Sequence, residues 1–154
     1  MRHQTGRSEE ELSSLWGVSR NTIRAAITEY SGLSPSSGLV DITLGPDNNL
    51  WVTCSGNHMV ARITPAGDIK TFPTPDVQPF SITSGKDGNL WFTDVGNARI
   101  VRMTPKGEIS YFVPPAPKSH PGAIASGMDG NIWFCEPEKK KIGRINLKKL
   151  EAQQ

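Results

Sequence analysis

Residues 45–72 read GPDNNLWVTCSGNHMVARITPAGDIKTF, residues 85–112 read GKDGNLWFTDVGNARIVRMTPKGEISYF, and residues 127–146 read GMDGNIWFCEPEKKKIGRIN. The tryptophans of the three copies, Trp51, Trp91 and Trp133, stand 40 and 42 residues apart. A period of about 40 that joins a Gly/Asp turn to a Trp-bearing strand is the pattern of a β-propeller blade. The expected fold class is all-β: a partial β-propeller of about three four-stranded blades, with a short N-terminal segment that is helical or a degenerate blade.

Working outward from the turn, each unit alternates apolar and polar residues over short stretches, the period of half-buried strands. The inner strand is expected at Val40 to Leu44, Phe80 to Ser84 and Gly122 to Ser126. The turn residues Asp47-Asn48-Asn49, Asp87-Gly88-Asn89 and Asp129-Gly130-Asn131 suit hairpins: Gly and Asn tolerate positive φ, and Asp bonds its own backbone two residues on. The second strand carries the Trp, and its large rings are expected between neighbouring blades. Third strands are expected at Met59 to Ile63, Arg99 to Met103 and Lys141 to Ile145, and outer strands at Ile69 to Phe72 and Ile109 to Phe112. Prolines 73, 75, 114, 115 and 117 stiffen the crossovers.

The third unit has no Thr-Pro-x-Gly turn and no outer strand. Ile27 to Tyr30 resembles the missing piece, so residues 27–30 are expected to complete a last blade. The domain reading is an N-terminal segment at 1–26, a partial propeller at 27–150 with units at about 38–78, 79–118 and 119–150, and a tail at 151–154. Propellers typically close with four to eight blades. Association is therefore expected, as a homo-oligomer with a dimer favoured: two chains would make a six-bladed ring.

The chain has 154 residues, 36% apolar and 21% charged, an ordinary globular composition. A net charge of +2 does not argue for nucleic acid, and no apolar run is long enough for a membrane span. Without a hydrophobic signal core at the N-terminus, the cytoplasm is the expected location. Cys54 and Cys135 share no CxxC or His-rich neighbourhood and read as reduced packing thiols.

The units P-x-x-I-x-x-G-x-D-G-N-[LI]-W-F-x-[DE] and N-x-x-I-x-R-[IM]-T-P-x-G-x-I resemble the repeat of the virginiamycin B lyase (streptogramin B lyase) family of seven-bladed propellers, over about residues 27–150. The resemblance implies a carbon-oxygen lyase, an antibiotic-resistance activity that linearises a cyclic depsipeptide by proton abstraction with Mg²⁺ assisting. Such chemistry needs a base beside the α-proton and a cation or acid for the developing charge. In the family the catalytic histidine follows a proline in the inner strand, fourteen residues before the glutamate of WFxE. Here Glu136 matches the glutamate, but the histidine position is Gly122, and the same position one blade earlier is Phe80. The candidates carried over are His120 and Glu136 as catalytic pair, Glu136 as metal ligand, and Asp94, Phe80 and Gly122 as substrate-binding residues. With both family histidines replaced, two readings stand: a small-molecule lyase, or a non-enzymatic propeller binding a ligand or protein.

The segment SEEELSSLWGVSRNTIRAAI at 8–27 departs from the blade pattern. Ser8 with Glu11 suits a capping box, and Ser19 could cap a helix from Arg20 to Ile27. The stretch resembles the turn and recognition helix of GntR-type helix-turn-helix repressors, which would present Arg20, Asn21 and Arg24 to DNA. It lacks the preceding helix and wing of such a domain, and a degenerate blade built on Trp16 is the alternative.

Overall fold

The computed structural model describes residues 8, 11, 17–116 and 118–153. The chain divides into two compact units, residues 1–31 and 32–154. In the first, the Ser8 N–H donates to Glu11 and the Glu11 N–H to Ser8 Oγ, a reciprocal capping box. Helix α1 spans Arg20–Ala26 and is capped by Ser19, whose Oγ accepts from the Thr22 N–H at 3.1 Å. Asn21 to Arg24 are thus helical rather than a blade strand, and Trp16 lies outside the described residues. Ile27 to Tyr30 form no strand and are exposed.

The second unit is three antiparallel sheets. The first is β1 (Leu39–Leu44), β2 (Leu50–Cys54), β3 (Met59–Ile63) and β4 (Ile69–Pro73), in that order. The second repeats it as β5 (Pro79–Ser84), β6 (Leu90–Asp94), β7 (Arg99–Met103) and β8 (Ile109–Phe112). The third has three strands, β9 (Ile124–Ser126), β10 (Ile132–Glu136) and β11 (Lys141–Ile145), followed by helix α2 (Leu147–Glu151). The inner strands β1, β5 and β9 lie against one another, as blades sharing an axis require. β9 begins at Ile124, two residues later than expected from the repeat. No helix among the described residues is long and apolar enough to cross a membrane.

Cross-strand register puts Ile82, Phe92, Leu90, Val101, Met103 and Ile109 on one face of the second sheet. They form one core cluster with Trp51, Val60 and Phe72 of the first sheet. The other face offers Trp91 and Ile100 to Ile124, Ile132, Phe134 and Leu147 of the third. Each indole therefore fills the seam to the next blade, as the repeat predicts, for Trp51 and Trp91. Trp133 departs from this reading: it is 37% exposed, because no further sheet covers it among the described residues.

Where the third sheet lacks an outer strand, α2 supplies its apolar contribution. Asn146 caps that helix by accepting from the Lys149 N–H at 3.1 Å, and Leu147 and Leu150 turn into the cluster around Trp91. The helix fills only that side. Trp51 stacks on Phe72 at 5.1 Å and Trp91 on Phe112 at 5.2 Å, whereas the position of such a ring beside Trp133 belongs to the absent fourth strand.

Candidate functional site

The candidate residues gather at the end of the sheets where β5 begins and β6 and β10 finish. Pro79 faces Asp94 across the β5/β6 pair, and the Gly122 N–H donates to the Cys135 carbonyl at 2.8 Å. Phe80 is 41% exposed, and Gly122 is half-buried.

Asp94 is fully buried and surrounded by donors: the N–H groups of Gln78 (2.9 Å), Gly96 (3.1 Å) and Asn97 (3.3 Å), and Arg99 Nε (3.0 Å) and Nη2 (2.8 Å). The same Arg99 Nη2 donates to the Asp76 carbonyl at 2.9 Å, so the carboxylate clamps the crossover from the first blade onto the second. A carboxylate so satisfied has no lone pair left for a ligand. Its role is structural rather than the substrate contact expected from the sequence.

Glu136 holds the same register position one blade on, and it too is buried. Its Oε1 accepts a short hydrogen bond from the Ser119 hydroxyl, itself buried in the crossover. His120 is exposed, with Nδ1 3.3 Å from the Val95 carbonyl oxygen. The expected catalytic pair thus turns to different partners, one to the crossover serine and the other to the preceding blade. Among the described residues no cluster of three or more His, Cys, Asp or Glu is placed to hold a metal.

His58, exposed, is a turn residue: it takes φ +53 after the 3-10 turn Ser55–Asn57, and its Nδ1 lies 2.7 Å from the Val77 carbonyl oxygen. Ala98 (φ +52) and Lys140 (φ +51) repeat that backbone, so the position needs the conformation and not the imidazole. Gly122 is different in kind. Its φ is ordinary, and an added Cβ would meet only Pro137 Cγ at 3.4 Å, normal contact. A Cβ is accommodated there, so the backbone does not require glycine at this position.

Sequence reasoning missed Ser119, which carries no motif, and a relay across the inner strands. The Ile124 N–H donates to Ser81 Oγ (3.2 Å), and Ser81 Oγ donates to Asp41 Oδ2 (2.9 Å), which also accepts the Ile82 N–H (3.0 Å). The signal was present as Asp41 and Ser81, polar residues at one inner-strand position of successive repeats.

The model of the virginiamycin B lyase family matches residues 13–151. The chain belongs to that family. A streptogramin B lyase structure is 41% identical over 80% of this chain and 42% of its own, with a TM-score of 0.74. Virginiamycin B lyase from Staphylococcus aureus is 41% identical over 77% of this chain and 41% of its own, at 0.71. A catalytically inactive histidine-to-alanine variant of the Staphylococcus aureus enzyme, solved with quinupristin, is 42% identical over the same shares, at 0.70. This chain therefore spans about two-fifths of the length of the lyases that it matches. No curated protein matches it.

Proposed function

We propose that this chain is a binding propeller of the virginiamycin B lyase family, which takes up a streptogramin B depsipeptide without opening its ring. The observation that supports this is the pair Gly122 and Phe80 at the positions where the family resemblance puts histidines. Ring opening by elimination needs a base within hydrogen-bond reach of the α-proton. Gly122 and Phe80 supply none, and Glu136 is engaged by Ser119. Binding asks less: the exposed Phe80 and Val40 offer apolar surface at the starts of the inner strands. The relative that was solved with quinupristin is likewise a variant stripped of a histidine and of activity.

The test is incubation with quinupristin and Mg²⁺, with mass spectrometry for the ring-opened product and calorimetry for binding. The expected result is saturable binding, weakened about tenfold in Phe80→Ala by the lost apolar contact, and no ring-opened product above the protein-free control. Ring opening by the purified chain would overturn the proposal, and its loss in His120→Ala would transfer the base role to that residue. Absence of any binding would overturn it equally.

A further inference from the structure

At the end of the sheets where β5 and β9 finish, a pocket of roughly 300 Å³ opens between the turns of the second and third blades and helix α2. We propose that it binds a small zwitterion of the α-amino-acid class, with Lys86 and Lys148 taking the carboxylate and Glu151 the ammonium group. Phe80 and Gly122 lie at the other end of the sheets, where β5 and β9 begin, so this site does not rest on the binding reading above.

The walls are held by the protein's own contacts. Asn131 of the third turn accepts the Leu147 N–H through Oδ1 at 3.1 Å, which pins α2 to that turn, and Leu147 and Leu150 anchor the helix in the cluster around Trp91. From the second turn, Lys86 reaches across the seam. A methyl added to Gly130 would meet its Cδ at 3.0 Å and its Nζ at 3.8 Å, so the ammonium group lies above the third turn. The seam between the first two blades has no such arm: Pro46 stands in place of Lys86, and the space over Gly88, the counterpart of Gly130, is open. The Lys86 arm is therefore particular to this seam and not a general feature of the repeat. The volume it helps to enclose is at the lower end of the range for small-molecule sites, about 300–1,000 Å³.

The charges select the ligand. Both turn carboxylates are already engaged: Asp87 accepts the Trp91 indole N–H at 3.1 Å and Asn89 Nδ2 at 3.0 Å. Asp129 accepts the Trp133 indole N–H at 3.0 Å and Asn131 Nδ2 at 2.9 Å, with Arg144 at 3.6 Å. Lys86, Lys148 and Glu151 are different, because among the described residues none of these side chains has a hydrogen-bond or ion-pair partner. Two unpaired ammonium groups and one unpaired carboxylate therefore line a single pocket. Counting Arg144, three cations stand against three carboxylates, so the pocket has no net charge with which to attract a simple anion or cation. A ligand that carries both signs meets each unpaired group with its opposite, and charge-assisted hydrogen bonds of that kind are the stronger ones. The acids do not suit a metal, since among the described residues no three of them are placed to hold one.

Alanine is the probe, because it carries both charges and little else. Titrated into the full chain and followed by amide NMR signals, it is expected to shift Lys86, Gly130, Asn131 and Leu147–Glu151 along one saturating curve. The Kd should be about 1–10 mM, as a few solvent-touched charge-assisted contacts allow. Acetate and methylammonium, each with one of the two charges, should bind about tenfold more weakly or worse. Lys86→Gln, Lys148→Gln and Glu151→Gln should each raise the alanine Kd about tenfold, with far-UV circular dichroism unchanged. Lys149→Gln, an exposed lysine of the same helix outside the pocket, should leave it unchanged. So should Phe80→Ala, the variant expected to weaken quinupristin. Acetate or methylammonium binding as tightly as alanine, no saturation by about 100 mM alanine, or equal weakening by Lys149→Gln would each overturn the proposal. Alanine binding in a chain that takes up no quinupristin would remove the function proposed above and uphold this site.

Discussion

Each tryptophan is locked by residues of its own turn, which explains why the repeat reads G-x-D-x-N-x-W. An added methyl on Gly45, Gly85 or Gly127 would collide with the indole of Trp51, Trp91 or Trp133, so the glycine makes room for the ring. The aspartate accepts the indole N–H, and the asparagine two residues on donates to that aspartate: Asn49, Asn89 and Asn131 do so at 2.9, 3.0 and 2.9 Å. In the third turn these bonds have a measurable consequence. The Trp133 indole N–H, then Asn131, with Arg144 adding its charge, hold Asp129 down to about 2 from 3.8. Because the folded value lies below the unfolded one, the stabilisation is complete above about 3.8 and is lost as pH falls through about 2. Trp133→Phe removes the largest cause, so the Asp129 carboxyl followed by NMR should titrate closer to 3.8. An unchanged midpoint would mean that the indole bond does not form in solution.

At the scale of elements, the seams matter more than the sheets, because an isolated four-stranded sheet has nowhere to bury its two apolar faces. Asp41 is the polar centre of the first seam, accepting both the Ser81 hydroxyl and the Ile82 N–H. Asp41→Ala should destabilise the chain by about 1–3 kcal/mol, the cost of leaving a buried donor without a partner; urea unfolding measures it, and a change under about 0.5 kcal/mol, the range of ordinary surface substitutions, would sink this account of the seam. The strands themselves were legible: β3, β7, β8 and β11 have the bounds that alternation and turn residues imply. What escaped was relational. The sequence reading took the turn aspartates as bonding their own backbone, which they do, but the bond to Trp four residues on needs the hairpin to be folded. Likewise the sequence shows only that the third unit lacks its Thr-Pro-x-Gly turn and outer strand after Ile145, while the cap by Asn146 and the apolar cluster beside Trp91 make Leu147–Glu151 a helix. At the candidate site, Gly122 and Phe80 are legible as the residues at the positions where the resemblance puts histidines, but nothing in the string shows that Asp94 is a saturated clamp or that Ser119 holds Glu136.

Across the array, the three blades are unequal because, among the described residues, only the middle sheet has a sheet packed on both faces. Leu90, Trp91, Phe92, Ile100, Val101 and Met103 of β6 and β7 are almost fully buried, whereas β1 exposes Leu39, Val40, Ile42 and Leu44, and β11 exposes Ile142. In a stack whose stability is a sum of sheet and seam terms, end units open first. Amide hydrogen exchange should therefore be slowest in β6 and β7 and faster in β10 and β11. Uniform protection across the three sheets would mean that the seams are not the units of stability, and the reading of this chain as stacked blades would lose its energetic basis.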